Sequence, residues 1–373
     1  MDGSTSFRLV GSTTTIGPLT QWVIQGLRKT LAQGGIALRE EVRGDDEGET
    51  GVVLHVVEPK APRAYRRRSR AVFVVGVAEL PSAPDDVLRT GYPLLIRSLS
   101  NLFVLLVRDG TGPCDVRAWF VTLEQGCYSI AHAGDDHAFF SAIIDRLMPL
   151  ATSRLVIDNE FHADLPESLW DGDEHTEAIY QAGRRLEALD LLPAPFPMQE
   201  LLPARDYRHV QRLFGIGGLS YGNVSTRHAG DTFWMSASGV DKSSLRTVGQ
   251  EILLVKGYDA ERGTILLSVP PHRPPRRVSV DAIEHLMIYR EHAEVGAILH
   301  VHAWMAGVPS SQTNYPCGTV ELAQEVSRLL RHTDDPSRSV IGLKNHGLTI
   351  TGPDLEEIFA RIDGRILRQV PMS

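Results

Sequence analysis

His300 and His302 stand one residue apart in AILHVHAWM, at the end of an apolar run that begins at Val295. A third histidine, His346, sits beside a glycine where a second apolar run ends, in SVIGLKNHGLTI. Alternate side chains of a strand share a face, so the first two imidazoles would point the same way and could chelate one ion. Taken alone, the pair reads more readily as two polar residues at a strand edge. A histidine beside a glycine at a strand end lies where backbone can approach a ligand closely. Three neutral imidazoles with an open position suit a borderline divalent ion acting as a Lewis acid, zinc first, with manganese or iron as alternatives.

Upstream lie two glycine-containing turns, from Leu219 through Ser220, Tyr221, Gly222 and Asn223 to Arg227, and SASGVDK from Ser236 to Lys242. Turns of this type expose backbone N–H groups and can form a concave anion site, although each alone is ordinarily just a turn. Their order along the chain is more specific. GNVSTR, SASGV, an acidic residue ahead of a helix, HVH and NHG, spread from Gln181 to Leu367, together resemble the class II aldolase/adducin family.

The resemblance implies that His300, His302 and His346 hold a divalent metal. It implies that Ser220, Gly222, Asn223, Ser238 and Gly239 bind the phosphate or other acidic end of a substrate. Asp281, in VSVDAIEHLMIYREH, takes the place of the acid/base carboxylate. Aspartate there is similar to the pentulose-phosphate epimerase branch, whereas SASGVDK is similar to the methylthioribulose-phosphate dehydratase branch; these two hints disagree. Ser279 stands alone before Asp281 where aldolases carry a serine pair. Lys242 is a further anion-binding candidate, and Tyr315 in QTNYPCG is the nearest candidate for a tyrosine acid.

Each of these residues also has a plainer reading. Asp281 is equally suited to capping the helix that follows it. Lys242 could be a solvated loop lysine, and His285 and His292 read as surface or satisfied polar residues rather than ligands. The arginines from Arg66 to Arg70 read as a solvated flank. GSTTTIG lacks the spacing of a nucleotide-binding loop, and Cys317 has no partners that would make it a nucleophile.

The elements that must position these residues fall in two parts. The first reads as strand at 7–10, helix from Pro18 to about Gln33, strands in VVLHVV and AVFVVGVAEL, then helix and strand in PLLIRSLSNLFVLLVRD. Further strands follow in RAWFVTLEQGCYSIAH, with a closing helix in FFSAIIDRLMPLA. We expect an α/β protein: a layered α/β domain of unassigned role at 1–165, then a class II aldolase-like α/β/α domain with a central, mainly antiparallel sheet at 174–373. With 373 residues, 42% hydrophobic, 23% charged and a net charge of −8, the composition argues against nucleic-acid binding and disorder. Three cysteines without paired spacing fit a reducing cytoplasm, and no apolar run suits a membrane span or export signal.

The function that follows is a metal-dependent carbon-carbon lyase of aldolase type, acting through a metal-bound enolate on a small hydroxy-carbonyl substrate, phosphorylated or not. Aldol cleavage, epimerisation, decarboxylation and dehydration all remain open. The alternatives are a non-haem iron oxygenase on the same scaffold and a non-catalytic adducin-like binding module. The resemblance also implies a homo-oligomer, commonly a tetramer.

Overall fold

The computed structural model describes residues 6–11, 16–40, 51–65, 72–108, 110, 112, 115–124, 126–189, 191, 203–204, 208 and 222–373. Arg66 to Arg70, Ser220 and most of the GSTTTIG turn lie outside the described residues. The chain divides into two compact units, Met1–Thr152 with Ala194–Asp206 and Met372–Ser373, and Ser153–Pro193 with Tyr207–Pro371. No helix among the described residues is long and apolar enough to cross a membrane.

In the first unit, strands β1 (Phe7–Val10), β2 (Leu38–Glu40), β3 (Val52–Val56), β4 (Phe73–Glu79), β5 (Leu102–Arg108), β6 (Val116–Thr122) and β7 (Cys127–Ala131) form one sheet. Its order is β2-β1-β3-β4-β5-β6-β7, with parallel pairing from β2 to β5 and antiparallel pairing from β5 to β7. The central strands are nearly continuous buried runs, the pattern of strands covered on both faces. Helices α1 (Pro18–Gln33), α2 (Val87–Ser98) and α3 (Asp136–Thr152) pack around it. At the start of α1, Glu79 accepts hydrogen bonds from the Thr20 N–H (2.9 Å) and hydroxyl (3.3 Å). The electropositive helix end behind GSTTTIG therefore already holds the protein's own carboxylate.

The second unit contains β8 (Asp158–His162), α4 (Glu174–Ala188), β9 (Gly222–Ala229), β10 (Thr232–Ser236), β11 (Ile252–Asp259), β12 (Thr264–Ser268), α5 (Ala282–Glu291), β13 (Ala297–Val301), α6 (Val320–Leu330), β14 (Val340–Leu343), β15 (Gly347–Gly352) and α7 (Leu355–Ile362). Their sheet runs β14-β15-β13-β9-β10-β11-β12-β8, and only the β12–β8 pairing is parallel. This corrects the expected end of the first domain at 165, because β8 belongs to the second sheet. Its sequence, DNEFH, has no apolar face of its own and becomes a strand by covering the β12 edge.

Alternation along the strands produces two cores. Phe233, Met235, Leu253, Val255 and Ile298 pack with residues of α5 and α6 on one face. Val224, Trp234, Ile252, Leu254, Leu299, Val301, Leu348 and Ile350 pack with α4 and α7 on the other. The result is a helix–sheet–helix sandwich around a mainly antiparallel sheet.

Candidate metal centre

The neighbouring strands β9, β13 and β15 carry polar residues at positions where their apolar neighbours turn to the α4/α7 side. The register pairs His300 with Asn223 on β9 and with Thr349 on β15, a row of three polar residues across the sheet. Facing them is α5, which is buried nearly all round. A helix this apolar belongs inside the fold, and the polar groups it carries must find partners there.

They do so in order along α5. Asp281, just ahead of the helix, accepts a 2.6 Å hydrogen bond from Asn223 Nδ2 and others from the Cys317 thiol and the Gly318 N–H. It makes no side-chain capping bond. One turn later, Glu284 accepts from the Thr349 hydroxyl at 2.5 Å. His285 Nδ1 and the Tyr289 hydroxyl each lie 2.8 Å from the Ser225 hydroxyl. Burial raises the carboxyl pKa of Asp281, against the pull of His346 and these donors. Glu284 is raised by burial and then by the neighbouring Asp281 charge. Burial pushes His285 down to about 3, so its ring is neutral.

The three predicted imidazoles converge at the end of the polar row. Ring centroids lie 5.1 Å apart for His300 and His302, 4.9 Å for His300 and His346, and 4.8 Å for His302 and His346. His302 falls just past the end of β13 rather than within it. His300 Nδ1 lies 3.0 Å from the Leu348 carbonyl, which can accept only if that nitrogen carries the proton. This leaves a lone pair on His300 Nε2, facing His346 Nε2 at 3.1 Å. Two lone pairs so placed repel unless a proton or a cation lies between them. Burial, followed by the other imidazoles, holds His300 well below its ordinary pKa, so its ring is neutral and Nε2 can accept from a neutral His346 or ligate a cation. One nitrogen from each ring can be chosen so that all three lie within 4.8 Å of one another, and the Asn223 Oδ1 beside them is buried without a partner. The donor set fits a divalent ion, with a backbone carbonyl orienting one ligand from behind.

Two glycines permit this convergence. A Cβ on Gly222, whose φ is +134°, would sit 1.8 Å from the His300 carbonyl oxygen. A Cβ on Gly347 would sit 2.2 Å from that of Val301. Asn345, buried with φ at 58°, turns the chain between β14 and β15 so that His346 reaches the rings, and asparagine tolerates that left-handed conformation better than most residues.

The other sequence candidates are placed less directly. Gly222 serves strand approach, and the Asn223 amide is engaged by Asp281. Ser238 is exposed, with its N–H already donated to the Arg277 carbonyl, beside Gly239 at φ 66°. Lys242 is buried rather than solvated; its ammonium donates to the Ala237 carbonyl at 3.0 Å, and burial lowers it to about 8. Ser279 is buried with its N–H on the Ser236 carbonyl, and Tyr315 packs against the α5/α6 core. Ser220 lies outside the described residues.

Residues 205–314 match the family described as Class II Aldolase and Adducin N-terminal domain. The C-terminal half carries a class II aldolase domain. This domain is 25% identical over 174 residues to methylthioribulose-1-phosphate dehydratase of Klebsiella pneumoniae, a match spanning 38% of this chain and 79% of the relative. Among solved structures, it aligns with L-fuculose-1-phosphate aldolase from Thermus thermophilus at 20% identity and a TM-score of 0.31, covering 50% of this chain and 85% of that one. L-fuculose 1-phosphate aldolase from Glaciozyma antarctica aligns at 17% identity and a TM-score of 0.31, covering 51% and 69%. Within the class II aldolase domain, sequence reasoning missed Glu284. The signal was available, because residues three apart on a helix share a face and DAIE places both carboxylates there.

Proposed function

We propose that the class II aldolase domain is a divalent-metal lyase in which His300, His302 and His346 hold the ion and Asp281 moves a proton at the carbon beside a substrate carbonyl. The observation that carries this reading is the convergence of three imidazoles next to a buried carboxylate that caps nothing. When bound, the ion supplies Lewis acidity toward a carbonyl oxygen.

The chain's own residues supply the rest. Asn223, Cys317 and Gly318 hold the Asp281 carboxyl in one orientation, and its raised pKa suits a group that takes a proton and returns it. Lys242 contributes a buried positive charge that acts on Asp281 and complements an acidic substrate end. The substrate class is a small hydroxy-carbonyl compound, and because the dehydratase relative is named for a sugar phosphate, phosphorylated ketoses are the first to assay. Assembly as a homo-oligomer belongs to the same reading.

The test joins metal content with exchange of a substrate carbon-bound hydrogen for solvent deuterium. An ion that requires His302, together with exchange lost in Asp281→Asn, is the expected result. Wild-type protein whose divalent-ion binding is unaffected by His302→Ala would overturn it.

A further inference from the structure

A second group of metal-ligating side chains lies on the opposite face of the same sheet, away from the three histidines. His228 alternates with Asn223 and Ser225 on β9 and shares the α4 side with Val224 and Thr226. Five residues along the strand place it about 17 Å from Asn223, at roughly 3.4 Å per residue. From this side, α4 presents Asp173 as its N-cap and His175 in its first turn. One ligand atom from each of Asp173, His175 and His228 can be chosen so that all lie within 4.8 Å of one another.

The donors are partly committed, and the remaining valence is what matters. Asp173 Oδ1 accepts the Thr176 N–H at 2.9 Å, and Oδ2 accepts the Trp234 indole N–H at 2.9 Å. A carboxylate has about four lone-pair sites, so two hydrogen bonds hold it in place without exhausting it. His228 Nδ1 lies 3.3 Å from Asp173 Oδ2 but is out of line for a hydrogen bond, and the atom is buried with no hydrogen-bond partner. The His175 ring stands edge-on to His228 at 5.8 Å between centroids. The His228 and Asp173 side chains remain 26% and 17% exposed, enough for an ion to enter with water completing its shell.

We propose that Asp173, His175 and His228 form a second divalent transition-metal site that pins the start of α4 to the end of β9. Two imidazoles and one carboxylate suit zinc or a neighbouring first-row ion, whereas calcium and magnesium prefer all-oxygen shells. Ligand atoms around a zinc ion with bonds of about 2.1 Å sit roughly 3.4 Å apart, so the side chains close by about an ångström on loading. The role is structural, because the ion bridges two elements of one core and its carboxylate is also the helix cap.

The site stands independently of the proposed lyase centre, and the test keeps the two apart. Zinc binding by equilibrium dialysis and cobalt(II) absorption are measured on wild type, His302→Ala, and His302→Ala carrying either His228→Gln or His175→Gln. The expected result is about one zinc per chain retained by His302→Ala and lost in both double variants, with zinc raising the melting temperature of His302→Ala but of neither double variant. Should His302→Ala not fold, His228→Gln in the otherwise wild-type chain must lower zinc stoichiometry by about one. A folded His302→Ala that takes up no zinc at about 1 mM, or double variants that bind as it does, overturns the second site.

Discussion

Replacing Gly222 with alanine tests whether the candidate centre depends on how closely β9 approaches β13. The new Cβ would lie 1.8 Å from the His300 carbonyl oxygen, 2.7 Å from its carbonyl carbon and 2.9 Å from the Val301 Cα. All three contacts are backbone, so no side chain can rotate away. Restoring ordinary separation requires the strands to part by about 1.5 Å, which weakens their hydrogen bonds at the Asn223–His300 pair. The φ of +134° adds strain of about 1–3 kcal/mol for a residue with a Cβ. One or two ladder bonds at about 1 kcal/mol each bring the expected loss to roughly 2–5 kcal/mol. Gly230→Ala is the control, since Gly230 also has positive φ, 55°, but nothing lies within 4 Å of its Cβ position. Urea unfolding of both variants gives the stability difference, and metal content reports on the centre. Equal midpoints for the two variants would refute the close-approach argument; a Gly222→Ala protein that folds with a full metal complement would refute its bearing on the centre.

Further predictions bear on single side chains. Asp281→Asn should lower turnover by about a hundredfold to ten-thousandfold while metal content, read by elemental analysis, stays unchanged. Thr349→Val removes the hydroxyl that donates to Glu284 and should cost about 1–3 kcal/mol in chemical denaturation. Lys242 has a folded pKa of about 8 against an ordinary value of 10.5. Between these values the unfolded chain binds the proton and the folded chain does not, so stability should climb with pH across that window, by up to about 3 kcal/mol. Lys242→Met should flatten that climb in urea titrations at stepped pH.

How much of this could be seen in the sequence depended on whether one local pattern sufficed. The span of α1 was legible because Pro18, the apolar stripe and the glycines after Gln33 all mark the same helix. The shared face of His300 and His302 was legible because strand alternation is a local rule. Asp281 was ambiguous, since an N-cap and a buried carboxylate both call for aspartate at a helix start; only the placement of Asn223 turns its oxygens away from the cap. Glu284 passes for a solvated helical glutamate until its helix proves buried nearly all round. Nothing local joins Asp173 and His175 to His228, because the sheet brings them together across a long stretch of chain. DNEFH was missed as a strand of the second unit because its partner β12 lies about a hundred residues on.

The row Asn223–His300–Thr349 also bears on the order in which the molecule is made. Its members come from strands far apart in the chain, and each can take its place only after the intervening segments have closed. A nascent chain that has emerged only as far as β13 carries His300 and His302 but not His346, so at most a weak two-imidazole chelate exists at that stage. On the proposed reading, metal capture at this centre would therefore require closure of the sheet through β15. Chains halted before residue 346 should hold about one zinc ion fewer than the full chain, the same loss that His302→Ala causes.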